Sequence, residues 1–306
     1  MLPFLSGPNQ QFISDLQRMN SELTDVTKQL SSGLRVSSVA DDPAAVESIM
    51  LNQSRIAQLT QTQSNLNNLK PELETGDTVL QQAMQQVESA ISIASESTSP
   101  LQNPGSLQQL TIQVQGILQN LVNLSAASSG GRYIFSGDLD QQPLYALDST
   151  QPTGVRQLAT ATNTRGITDA NGVQVWLGKT ASEIFDARDA SNNPLPDNVF
   201  AAVNSLLTAL TNNDSAAAEA SITNLKAADS HLNEELGYYG IGQARVNDTL
   251  TSISSSLVGV QTDQSSLRDA DMASAAVELQ QLTVQQQAAL SARAKIGGTN
   301  LFDFLA

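Results

Sequence analysis

Gly178-Lys179-Thr180 has the residue types that close a phosphate-binding loop, in which backbone amides cradle a phosphate and a lysine reaches it. Such a loop needs a glycine five positions before the first of these residues, and that position holds Val173. The residues before it have the character of a strand, so the triplet reads as an exposed strand end. His231 is the one histidine and there is no cysteine, so a zinc site would have to be mostly carboxylate, and no HExxH-like spacing exists. A catalytic triad would need this histidine, yet there is no Gly-x-Ser-x-Gly elbow. His231 therefore reads as a surface or seam residue. Asp41-Asp42 and Glu234-Glu235 are paired carboxylates, but adjacent residues on a helix diverge by about 100° and do not converge on one point. The first pair reads as helix caps and the second as a solvated face. Trp176, Tyr133, Tyr238 and Tyr239 read as core or interface anchors. Asp138, Asp140, Asp169, Asp186 and Asp189 share one stretch without a histidine or a recognisable spacing. These residues predict no catalytic, cofactor or metal site, and no enzyme.

Composition points the same way. Of 306 residues, 40% are hydrophobic and only 4% aromatic, so the core must come mainly from Leu, Val, Ile and Ala. Long helices packed along narrow seams suit that composition. The net charge is -15 with no basic cluster, which excludes the electrostatic footprint of a nucleic-acid binder. No run approaches the roughly 18 to 20 apolar residues of a membrane span, so no membrane partner is expected. Met1-Leu-Pro-Phe-Leu-Ser-Gly7 has neither a basic n-region nor a long apolar h-region. It predicts export, if any, by a route that leaves the N-terminus uncut.

The strongest pattern lies at the two ends. Phe12, Leu16, Met19, Leu23, Val26 and Leu30 are spaced four and three alternately, which keeps them on one helical stripe. Gly33 interrupts, 37–43 reads as a loop, and Asp41 or Asp42 with Pro43 marks a new helix start. From Ala44 to about Thr98, Leu59, Leu66, Leu73, Leu80, Val87 and Ala94 recur every seventh residue. Pro71 predicts a kink or short break near Lys70. A third helix runs from Leu107 to Leu124. Between Arg132 and Pro196 the helical period disappears, and 132–135, 155–159 and 173–177 are strand candidates with a hairpin turn at 169–172. Helical spacing returns from Asn198. A last run carries Val246, Leu250, Ile253, Leu257, Val260 and Leu267, then Leu279, Leu282, Gln286, Ala289, Arg293 and Ile296, before Gly297-Gly298 and the apolar tail with Leu301, Phe302 and Leu305.

The fold class expected is mainly α with a β-rich insert, built as long antiparallel helices that form coiled-coil and bundle domains from both chain ends. The expected domains are 1–40 plus 265–306, 41–137 plus 198–264, and the insert 138–197. Seams at both ends without local partners predict a polymerising or docking protein. They also predict terminal segments that stay largely disordered in the free chain and fold on assembly.

The same residues carry a family resemblance. Gln29-Leu-Ser-Ser-Gly-Leu-Arg-Val-Ser-Ser-Val-Ala-Asp-Asp-Pro43 resembles the N-terminal signature of flagellins and flagellar hook-associated proteins. Gly242-Gln-Ala-Arg-Val-Asn247, Asp269-Ala-Asp-Met-Ala-Ser-Ala-Ala-Val-Glu-Leu279 and the ending Asn300-Leu-Phe-Asp-Phe-Leu305 resemble the family's C-terminal region. Gly131-Arg-Tyr-Ile-Phe-Ser-Gly137 and the Leu-Phe-Asp-Phe-Leu ending are most like the hook-associated protein 3 branch. The start Met1-Leu-Pro-Phe-Leu5 and Pro71 depart from the family pattern. The resemblance implies a subunit of the hook–filament junction, with a short filament flagellin as the alternative. It further implies export through the flagellar type III apparatus with a cytoplasmic chaperone. The implied partners are copies of the chain, flagellar hook-associated protein 1 and flagellin, at an extracellular flagellar location. The terminal helices would line the inner tube, and the insert would face outward.

Overall fold

The computed structural model describes residues 7–99, 104–162, 164, 166–168, 174–176 and 178–297. The expected turn at 169–172 and the tail residues Leu301, Phe302 and Leu305 lie outside these. Seven α-helices run through the described residues, α1 (Gly7–Ser32), α2 (Pro43–Ser97), α3 (Pro104–Ser125), α4 (Ala181–Phe185), α5 (Val199–Thr211), α6 (Ser215–Arg268) and α7 (Met272–Gly297). Between α3 and α4 lie β1 (Ser128–Ser129), β2 (Arg132–Tyr133), β3 (Tyr145–Leu147), β4 (Val155–Gln157), β5 (Gly166–Thr168) and β6 (Gln174–Trp176). They pair antiparallel as β1–β2, β3–β4 and β5–β6, three hairpins of two strands each. The fold is mainly α with a small β insert. The strand candidates at 132–135, 155–159 and 173–177 each contain one strand, while β1, β3 and β5 were too short to leave an alternating pattern.

By contacts the chain divides into residues 1–58 with 255–306, and residues 59–254. In the second unit, the seventh-residue stripe of α2 is its spine, with Leu66, Leu80, Val87 and Ala94 wholly buried and Leu73 nearly so. α6 runs antiparallel to it. The Gln243 side chain donates to the Leu73 carbonyl at 3.2 Å, Tyr239 packs on Gly76, and burial and the nearby Glu88 raise the pKa of Asp229. α3 packs on α5 through Val114, Leu118, Leu121, Phe200, Val203 and Leu206.

Pro71 produces no break, because α2 is helical from Pro43 to Ser97 with Pro71 inside it. A proline costs one backbone hydrogen bond and a clash with the preceding turn. Here Pro71 sits on the exposed side, while Leu69 and Leu73 on either flank are buried and anchor both turns. The insert is held by something the composition did not suggest, a knot of aromatic rings. Phe135 lies edge-on to Phe185 (5.9 Å) and to Tyr239 (6.2 Å), Phe185 stacks on Phe200 (5.7 Å), and Tyr145 tilts against Phe200 (5.3 Å). Few as the aromatics are, they gather where the hairpins meet the helices.

A Cβ on Gly76 would collide with the Tyr239 ring, whereas one on Gly237 would meet nothing within 4 Å. Both glycines lie inside helices. Replacing Gly by Ala in a helix gains about 0.5–1 kcal/mol, and overpacking a core costs about 1–3 kcal/mol. Gly76→Ala should therefore lower the urea unfolding midpoint, with a net loss of about 1–2 kcal/mol, and Gly237→Ala should raise it.

Candidate assembly site

The residues able to do chemistry are consumed in structure. Thr180 is the N-cap of α4 in a capping box with Glu183, so Gly178-Lys179-Thr180 is a helix start and not a strand end. The Lys179 ammonium lies 2.6 Å from Glu235 and 5.0 Å from the centre of the Tyr238 ring. Glu235 is buried while Glu234 is exposed, which corrects the reading of that pair as one solvated face. The capping threonine turns Lys179 toward α6, and the ion pair compensates the burial of the carboxylate. Burial holds the Tyr239 hydroxyl well above its ordinary pKa. His231 Nε2 lies 3.0 Å from the Glu183 carbonyl. Asp186 is buried between Arg188 Nε (2.9 Å) and Asn198 Nδ2 (2.7 Å). Asp138 accepts from the Thr162 amide and hydroxyl, and Asp189 accepts from the Ser191 and Asn193 amides. Asp140 faces Arg132 at 4.0 Å. The Trp176 side chain and Asp169 lie outside the described residues. Among the described residues no group of three or more His, Asp or Glu could hold a metal ion, and no helix is long and apolar enough to cross a membrane.

The first unit places the two chain ends together. α1 and α7 are each 26 residues long and pack side by side. Their direction follows from three contacts. Val26 clusters with Ala275 and Leu282, Asn20 Oδ1 accepts from Gln286 Nε2 at 2.8 Å, and the Phe12 ring lies 5.6 Å from the Arg293 guanidinium. As the number falls along α1 it rises along α7, so the pair is antiparallel. Leu23, Leu30 and Leu279 pack half-buried against the central cluster. Leu16, Met19 and Ala289 are half-buried along the same pair of helices, and the Ile296 side chain lies outside the described residues. Leu267 is not on this seam. It belongs to the end of α6 and packs with Val36, Ala45, Val46 and Ile49, because the break after Arg268 interrupts the heptad phase. Ala275, which sequence reasoning missed, is 4% exposed and sits where only a small side chain lets the helices close. Its spacing of four before Leu279 was the available signal.

Two breaks in the chain meet at the end of this pair. Gly33, at φ 72°, ends α1 in the left-handed conformation that glycine adopts without strain. Leu34 then bridges antiparallel to Asp269, between α6 and α7. The Arg35 and Val36 amides both donate to the Arg268 carbonyl, at 2.7 and 3.1 Å, and the Ala270 amide donates to the Gly33 carbonyl at 2.9 Å. The Arg35 guanidinium adds a 2.6 Å bond to the Leu267 carbonyl and a 3.1 Å contact to Asp42.

Four aspartates complete the crossing. Asp41 accepts from the Ser37 and Ser38 amides at 2.8 and 2.7 Å and pairs with Lys28 at 3.3 Å. Asp42 accepts from the Ala45 amide and so caps α2, with Pro43 at the first helical position. Asp271 caps α7 by accepting from the Ala273 and Ser274 amides, and Asp269 accepts from the Ser265 hydroxyl at 2.6 Å. These bonds hold all four carboxyls below their ordinary range. The chief cause is the Ser37 amide for Asp41, the Ala45 amide for Asp42, the Ser265 hydroxyl for Asp269 and the Ser274 amide for Asp271. A carboxyl depressed in the folded state contributes stability above its unfolded pKa of about 4, lost as pH falls toward the folded value. Cleavage by a protease active in acid at 33–42 and 269–271 should therefore accelerate below about pH 4. In Asp41→Asn, which cannot titrate there, part of that acid dependence should vanish.

Comparison with known proteins agrees with this geometry. The family model for the bacterial flagellin N-terminal helical region matches residues 7–139, and that for the C-terminal helical region matches residues 216–305. Flagellar hook-associated protein 3 of Salmonella typhimurium is 28% identical over 215 residues, covering 66% of this chain and 64% of that protein. The chain thus spans just under two thirds of that relative's length. A solved structure from Vibrio parahaemolyticus, described as that of a flagellar hook-associated protein, aligns with a TM-score of 0.64 at 18% identity, over 75% of this chain and 100% of the other. Flagellar hook-associated protein 3 from Legionella pneumophila aligns at 0.61 with 13% identity, over 72% and 98%. At these identities the structures speak for the fold. With both flagellin regions matched in order and flanking the insert, the chain belongs to the flagellin family.

Proposed function

We propose that this chain is a structural subunit of the bacterial flagellum and forms the hook–filament junction as a hook-associated protein 3. The observation that carries the reading is the antiparallel pairing of the two chain-end helices within a flagellin-family chain. Its nearest supports are the relatives named hook-associated protein 3 and the Gly131–Gly137 block, where Arg132 reaches Glu72 at 3.3 Å and Phe135 enters the aromatic knot. That block joins the third helix to the insert, so it sets how the insert is carried.

In this reading α1 and α7 form the inner layer, the helices of 59–137 and 198–254 the next, and the hairpins 138–197 the outer surface. The chain polymerises with its own copies in a ring, between hook-associated protein 1 on one side and flagellin on the other. It reaches that place through the flagellar type III apparatus, escorted by a cytoplasmic chaperone. The work is mechanical: a narrow seam on each subunit becomes continuous only when neighbours are present.

Antibody labelling of isolated flagella tests the location. A single band between hook and filament supports the junction, and labelling along the whole filament would make the chain a short filament flagellin instead. Leu23→Asp and Leu282→Asp each place a charge in the α1–α7 seam. Both should abolish incorporation into flagella while the far-ultraviolet helical signal and the unfolding transition of residues 59–254 are retained. Normal incorporation of either would remove the seam from the mechanism.

A further inference from the structure

The α1–α7 seam accounts for one side of each helix, and the two outward sides differ in chemistry. The outward side of α1 is charged. Asp15, Arg18 and Glu22 form a chain of exposed ion contacts at 3.8 and 3.6 Å, with Asp25 one turn on. α7 has almost no charge outside its last turns, Glu278 excepted. Val277 and Val284, seven residues apart and so on one stripe, are 55% and 58% exposed. With Gln280, Gln281 and Gln285 they line a single shallow groove.

We propose that this groove on α7 is the seat of a second copy of the chain, and that the charged side of α1 stays in water. The proposal rests on the self-assembly reading above and names the surface that performs it. Charge identifies the occupant. Each copy carries -15, so copies repel wherever acidic surface meets acidic surface. A neutral groove of two valines and three glutamines removes that repulsion at the point of closest approach. The valines supply apolar area, and the glutamine amides both donate and accept, so they can pair with like groups on an identical chain. A strongly basic partner would be met by carboxylates, which this groove lacks. The same residues on α7 are not needed to hold α1, since the inner cluster is Val26, Ala275 and Leu282.

The absence of cysteine permits a direct test. A single Val284→Cys in the full chain, labelled with benzophenone maleimide, is assembled into flagella and irradiated. Asp15→Cys, on the charged side of α1, is treated alike. The expected result is a crosslinked product of twice the chain mass from position 284 whose fragments all derive from this chain, and at least tenfold less of it from position 15. Capture at position 284 of flagellin or of a hook-side protein in place of a second copy would overturn the proposal. So would equal yields from the two positions, or incorporation without any crosslink at 284. If the unlabelled wild-type chain itself fails to enter flagella, the junction reading falls and not the choice of face. As a second readout, Val277→Asp combined with Val284→Asp should abolish incorporation while the Phe12–Arg293 and Asn20–Gln286 contacts of the pair persist by nuclear Overhauser effects.

Discussion

The first unit depends on a few hydrogen bonds between residues 33–36 and 267–270, which are far apart in the chain and adjacent in space. There α1 gives way to α2 at the same level as α6 gives way to α7. A helix that ends leaves unsatisfied carbonyls, and a helix that starts leaves unsatisfied amides. The crossing satisfies them mutually. The Arg268 carbonyl receives two amides from the opposite segment, the Arg35 guanidinium takes the Leu267 carbonyl, and the aspartates take the amides of the loop and of the new helices. Once these are fixed, α1 and α7 leave from neighbouring points in opposite chain directions, and their apolar stripes face each other without further instruction.

Much of this could be read from spacing. The four-and-three alternation from Phe12 to Leu30 and the seventh-residue leucines of α2 state which faces are apolar, because a helix repeats its faces at that interval. Asp42 with Pro43, and Gly33 before them, state where helices start and stop. What stayed hidden was tertiary. The bond from Arg35 to the Leu267 carbonyl joins residues 232 positions apart, and no local pattern announces it. Ala275 was passed over because a small residue scores low as a hydrophobe, although smallness is what the helix approach requires. Glu235 looked like solvated surface because its partner, Lys179, is in another element. Pro71 was given a break because the rule for proline is local, whereas its buried neighbours hold the helix on both sides.

The two units differ in how completely they satisfy themselves. Residues 59–254 bury aliphatic side chains along α2, α3, α5 and α6 and lock the insert with an aromatic knot. The α1–α7 pair has three buried residues at its centre, Val26, Ala275 and Leu282, and only half-buried ones beyond. Isolated helices of this length are marginal in water, and most helical stability comes from packing. A pair with so thin a seam is suited to a subunit that must be complete only in the company of its neighbours. The neutral groove on α7 supplies a face for that company, and the charged side of α1 supplies one that discourages it.

Amide hydrogen exchange on the free chain at neutral pH tests this division most directly. The account predicts that residues 7–32 and 272–297 exchange at least a hundredfold faster than the buried helical segments of 59–254, and that assembly into flagella closes the gap. Equal, strong protection of the terminal helices in the free chain would contradict it.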